Sequence, residues 1–140
     1  MALGRKVFVA SSVFFAFVDR ANPRHNEASA YFRYFAEEHF QVFTSYLAIE
    51  DTYRQIREKI SPSLAKDFMR GIMLSNINIL YPSESDAKAA LKALVGYVST
   101  VLSLKDAQAA VLANRNQIGQ VATFDYLHPL FGLTAFYLPV

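Results

Sequence analysis

Three carboxylates draw attention because each borders an apolar stretch. Glu50 follows Tyr46-Leu47-Ala48-Ile49, Asp106 precedes Ala107-Gln108-Ala109-Ala110-Val111, and Asp125 closes Gln120-Val121-Ala122-Thr123-Phe124. A set of acids without histidine or cysteine partners suits a hard cation such as Mg²⁺ or Mn²⁺, which takes oxygen ligands and keeps several waters. Such an ion polarises a phosphoryl oxygen and lowers the pKa of a bound water, so phosphodiester hydrolysis is the natural reaction. Each acid also has an ordinary structural use. Asp106 lies three residues after Ser103, as in a capping box. Asp125 can stabilise a turn, and Glu50 suits the first turns of a helix, where the dipole favours negative charge. What singles them out is the prospect that all three share one edge of a sheet.

That prospect rests on the order of elements. The run Lys6 to Val9 is apolar and valine-rich, as expected of a parallel strand covered on both faces, and Ser11 and Ser12 read as caps for the helix that follows it. Pro23 to Phe40 places Ala28, Tyr31, Phe32, Phe35 and Ala36 at helical spacing. Phe40 to Ser45 reads as a second strand, with Ser45 as N-cap of a helix over Tyr46–Ile60. Ser61-Pro62 ends that helix and opens another, to Leu74. Ile77 to Pro82 has strand character, and Ser83 to Asp86 has a capping-box pattern before an alanine-rich helix. Ser103 caps a further helix, Gln120–Asp125 is a strand, and Ala135–Val140 is a last short one. Strands alternating with helices predict an α/β fold with a parallel sheet and helices on both faces. In such sheets functional groups collect at the carboxyl ends of the strands. Ala10 to Ser12, Glu50, Asp106 and Asp125 all fall there.

The 140 residues fit a single domain, 1–140, and 53% hydrophobic with 19% charged residues excludes a disordered or low-complexity chain. A formal charge of +2 is too small to argue for a general polyanion-binding surface, and zero cysteines exclude a disulfide scaffold and any thiolate metal site. The first apolar run is too short to span a bilayer and lacks a cleavage site, so a cytoplasmic protein without a membrane association is expected.

Four short motifs, in order, resemble those of the PIN domain, most closely the VapC-type toxin ribonucleases of toxin–antitoxin pairs. They are Val7-Phe8-Val9-Ala10-Ser11-Ser12, Thr44-Ser45-Tyr46-Leu47-Ala48-Ile49-Glu50-Asp51, Leu102-Ser103-Leu104-Lys105-Asp106-Ala107 and Val121-Ala122-Thr123-Phe124-Asp125. The resemblance runs from Lys6 to about Phe136. It implies a three-layer α/β/α PIN-like domain with a central, mostly parallel sheet, and a Mg²⁺- or Mn²⁺-dependent endoribonuclease that cuts RNA with a metal-activated water. It further implies Glu50, Asp106 and Asp125 as metal-site acids, Ser12 as a hydroxyl lining the site, a homodimer, and a small cognate antitoxin protein as inhibitor.

Ala10 departs from the pattern, because it occupies the position of the family's first metal-binding Asp. A methyl group supplies no ligand, so metal affinity and hydrolysis are expected to fall sharply. Two origins compete: a deliberate Asp→Ala change that spares an expression host, and a natural pseudoenzyme that keeps the fold for binding RNA or protein. Retention of the other three acids and of Ser12 favours the first. Among other residues, Asp51 points about 100° from Glu50 on a helix and reads as solvent-facing. His25, His39 and His128 show no ligand spacing, and Asp19 reads as a capping or turn residue. The aromatics of Tyr31 to Phe40 read as core or interface rather than base-stacking platforms. Arg54, Arg57, Lys105 and Arg115 suit either RNA phosphates or a solvated face. A small-molecule enzyme of response-regulator type also clusters acids at strand ends, but lacks support from the residues around Asp125.

Overall fold

A computed structural model describes residues 5–97, 101–125, 127 and 132–139. Its first strand, β1 (Lys6–Val9), shows why the valine-rich run is continuous rather than alternating. Val7 and Val9 join a cluster with Phe14, Tyr31, Phe35 and Ile56 on one face. Phe8 points the other way, against Ala113, Ile118 and Val121. A strand covered on both sides has no face to leave polar.

The remaining elements follow the expected alternation. Helices α1 (Ser11–Val18) and α2 (His25–Glu37) precede β2 (Gln41–Ser45), and α3 (Tyr46–Lys59) and α4 (Pro62–Leu74) precede β3 (Asn78–Leu80). Helices α5 (Glu84–Gly96) and α6 (Leu104–Arg115) lead to β4 (Gln120–Ala122) and β5 (Thr134–Ala135). Among the described residues the sheet has five strands in the order β3-β2-β1-β4-β5, and every pair is parallel. Six helices among the described residues flank it, giving the expected α/β fold. Among the described residues no helix is long and apolar enough to cross a membrane.

Helix starts are set locally. Ser45 Oγ accepts the Ala48 N–H, Ser61 Oγ the Leu64 N–H with Pro62 in the first turn, and Ser103 Oγ the Asp106 N–H. Ser83 and Asp86 form the full reciprocal capping box. Helix α1 is different: its N-cap is Ala10, with no side-chain capping bond. Neither Ser11 nor Ser12 caps it, because both hydroxyls are engaged by residues far along the chain. Strand β4 also stops at Ala122, before the expected end, since the Asp125 N–H turns back to Thr123 Oγ1 at 3.0 Å.

The aromatics of α2 are core, as their spacing suggests. Tyr31 and Phe35 are 2% exposed and pack at 5.2 and 4.9 Å, centroid to centroid, on Phe136. Asp19 Oδ1 accepts the Ala21 N–H in the turn after α1. His25 Nδ1 lies 3.0 Å from the Ala16 carbonyl oxygen, a packing role. His128 lies outside the described residues.

Candidate active-site cleft

The strand order fixes where a site can form. β2 and β3 lie on one side of β1, β4 and β5 on the other, so the chain reverses direction across the sheet between β1 and β4. At such a switch point the loops leaving two adjacent strands diverge to opposite faces and leave a crevice at their carboxyl ends. Here the crevice is lined by Ala10, Thr123 and Asp125, with Asp106 and Ala109 from α6 and Phe8 and Val121 at its floor. Three positions singled out from sequence, Ala10, Asp106 and Asp125, therefore meet.

Each is held by identifiable bonds. The Ala10 N–H donates to the Ala122 carbonyl at 3.0 Å, extending the β1–β4 ladder by one rung. Asp106 is carried on the first turn of α6 by the Ser103 cap, whose Oγ accepts its N–H at 3.1 Å. Ser12 pins the turn that bears Asp125: its Oγ accepts the Phe124 N–H at 2.9 Å and lies 3.2 Å from Thr123 Oγ1. Beside Asp125 a second, polar groove brings in Asn22, Arg24, Gln55 and Lys59. The Arg24 guanidinium stacks 4.1 Å above the Phe124 ring, which steadies both.

Ser11 bonds a different set of residues. It is 1% exposed, and its hydroxyl donates to Asp51 Oδ2 at 2.7 Å. The Lys105 ammonium donates to the same Asp51 oxygen at 3.0 Å and to Ser11 Oγ at 3.1 Å. Gln55 Nε2 adds a third bond to Oδ2 at 2.9 Å, and Arg54 holds Oδ1. Burial alone would push the Asp51 carboxyl up, but donation from Ser11, Lys105 and Gln55 outweighs it and holds the group below the usual carboxylate range.

Asp51 is thus not solvent-facing: it is 8% exposed. Glu50 has a 54% exposed side chain and pairs with Arg54 at 3.4 Å. A signal for this was present. Ala48, Asp51, Thr52 and Gln55 form an i, i+3, i+4, i+7 stripe that begins at a buried alanine, and Glu50 falls outside it. The four cations considered as phosphate contacts each meet a carboxylate instead: Arg54 with Glu50 and Asp51, Arg57 with Glu58, Lys105 with Asp51 and Arg115 with Asp86.

The donor set does not complete a divalent-cation site. Asp106 and Asp125 face the cleft, but Ala10 adds no oxygen, and both Asp51 oxygens are engaged by side-chain donors. Among the described residues no group of three His, Asp or Glu side chains is placed to hold a metal ion.

Residues 7–128 match the family model for the PIN domain. No curated protein sequence matches the chain. The fold is similar to that of the crystal structure of Mycobacterium tuberculosis VapC20, a Sarcin-Ricin loop cleaving toxin, with a TM-score of 0.76 and 20% identity over 85% of this chain and 89% of that one. It is also similar to VapBC2 from Rickettsia felis, solved bound to a DNA fragment from its promoter, with a TM-score of 0.70 and 10% identity over 94% of this chain and 97% of that one.

Proposed function

Because the chain belongs to the PIN-domain family, we propose that it is built as a metal-dependent endoribonuclease of the toxin class and is disabled, as it stands, at Ala10. The observation that carries this reading is the meeting of Ala10, Asp106 and Asp125 in one cleft at the β1–β4 switch point. An aspartate at position 10 would bring a third carboxylate to that cleft, and the Mg²⁺ or Mn²⁺ then held would supply an activated water for RNA phosphodiester hydrolysis. The present residues do the positioning. Ser12 fixes the Thr123–Asp125 turn, the Ser103 cap fixes the backbone of Asp106, and Lys59 in the groove beside Asp125 offers positive charge to an RNA backbone, whereas Arg24 there is paired with Glu27. Of the acids on α3, the resemblance points to Glu50. The bond from Ser11 argues for Asp51 in that role, with Glu50 at its flank.

The same reading implies the partners. RNA is the substrate class, a homodimer the assembly, and a small antitoxin the inhibitor whose segment covers the acidic cleft, in a cytoplasmic setting. The experiment is reversal of the vacated position. Ala10→Asp should gain RNA cleavage with Mg²⁺ or Mn²⁺, abolished by chelation. A folded Ala10→Asp protein that neither cleaves RNA nor binds metal overturns the nuclease reading.

A second reading, a natural binding module on the same fold, is favoured by a specific contact: the Lys105 ammonium is seated on Asp51 and on Ser11, the residue next to the vacated position in the chain. It predicts RNA or protein binding by the chain as written and no gain of cleavage in Ala10→Asp.

A further inference from the structure

We infer that Lys105 is the resident cation of the acid edge, an internal ammonium that neutralises it and keeps divalent ions out. The inference rests on the reading of this edge as a metal site by descent. It goes beyond that reading in assigning a role to a residue of this chain.

Three observations converge on it. Lys105 immediately precedes Asp106, so the turn of α6 that brings an acid to the cleft also brings an ammonium. That ammonium does not extend into solvent: the side chain is 26% exposed, and Nζ bonds both Ser11 and Asp51. Of its two partners, Ser11 directly follows position 10 at the start of α1, and Asp51 on α3 is the carboxylate to which Ser11 itself donates. An ammonium there meets Asp51 with a full positive charge and one N–H, gives a second N–H to Ser11, and needs no third carboxylate. A divalent ion approaching the same edge meets a like charge already seated, in a setting screened less than bulk water.

The chemistry separates this role from that of a plain structural ion pair. A structural pair supports the site, so its removal leaves metal affinity unchanged or lowers it. A resident cation competes with metal, so its removal raises metal affinity. Mn²⁺ binding, followed by the electron-spin signal of the free ion, distinguishes the two in full-length protein. The wild-type chain should bind no Mn²⁺, and its thermal midpoint should be the same in Mn²⁺ and in chelator. In the Ala10→Asp background, Lys105→Ala should tighten Mn²⁺ binding at least tenfold. Lys105→Gln, which keeps a donor for Ser11 and Asp51 but no charge, should do the same. Wild-type protein that binds and is stabilised by Mn²⁺ overturns the inference. So does an affinity in both double variants equal to or weaker than that of Ala10→Asp alone. Failure here leaves the nuclease reading standing if Ala10→Asp cleaves RNA, because that reading is decided by cleavage and this one by affinity.

Discussion

Removing the Lys105 charge should expose how strongly the acid edge depends on it. Lys105→Met keeps the length of the stem and deletes the ammonium. Breaking a fully buried ion pair by deleting one partner costs about 3–5 kcal/mol, because the other charge is left uncompensated. The present pair is less extreme, with side chains 26% and 12% exposed. Asp51 also keeps its bonds from Ser11, Gln55 and Arg54. The expected cost falls to roughly 1–2 kcal/mol, a midpoint lowered by about 3–8 °C for a chain of this size. Asp51→Asn should also destabilise, since an amide nitrogen is turned toward donors. The double variant should recover part of the loss, with a coupling of about 1 kcal/mol, since the two residues share the interaction that each single change destroys. Urea unfolding of the four proteins of the cycle measures all of this. Additive single effects, agreeing within about 0.3 kcal/mol, would refute the account of an edge organised around the ammonium.

Two other outcomes follow from the same contacts. Ser12→Ala leaves the Phe124 N–H without its acceptor, which should cost about 1 kcal/mol and speed amide exchange at Phe124 and Asp125. Unchanged exchange there would show that Ser12 does not pin the turn. Stability should also fall in acid. The Asp51 and Asp86 carboxyls are both held below their ordinary value, Asp86 chiefly by the Ser83 backbone N–H. The stability they add is present above the unfolded carboxylate value of about 3.9 and is lost as the pH drops below it toward their folded values. Asp51→Asn should lose less stability than wild type between pH 5 and pH 2 in urea titrations, and an identical loss would contradict the assignment.

What the sequence displays well is what is settled within a few residues. The caps at Ser45, Ser61, Ser83 and Ser103 each reach three positions along the chain, and a capping pattern is local by nature. The position of Asp106 in the first turn of α6 is legible for the same reason, whereas Asp125, expected at a strand end, lies three residues beyond β4. Ser11 and Ser12 have the pattern of caps but do not cap α1, because their partners lie far away: Ser11 bonds Asp51 and Ser12 bonds the turn at Thr123 and Phe124. No local pattern distinguishes a serine that caps from one that ties two distant elements. Asp51 turns inward, against the sequence expectation, because it lies on the buried stripe beginning at Ala48, which its angle from Glu50 does not reveal. The resemblance carried the order of the motifs, but which of two neighbouring acids turns inward is settled by packing.

The pairing of the first strand with the fourth has a consequence for synthesis. Lys6 finds Gln41 early, whereas Phe8 must wait for Val121 and Val9 for Ala122. At ribosomal speeds that interval is on the order of ten seconds, during which one edge of β1 has no neighbour to pair with. An unpaired, valine-rich edge is open to pairing with another nascent chain. The cleft cannot exist until its far wall, Thr123 and Asp125, has emerged, well after β1 is made. A product that stalls or is cut short before those residues carries neither the wall nor the site, and its first strand is left with only one of its two neighbours.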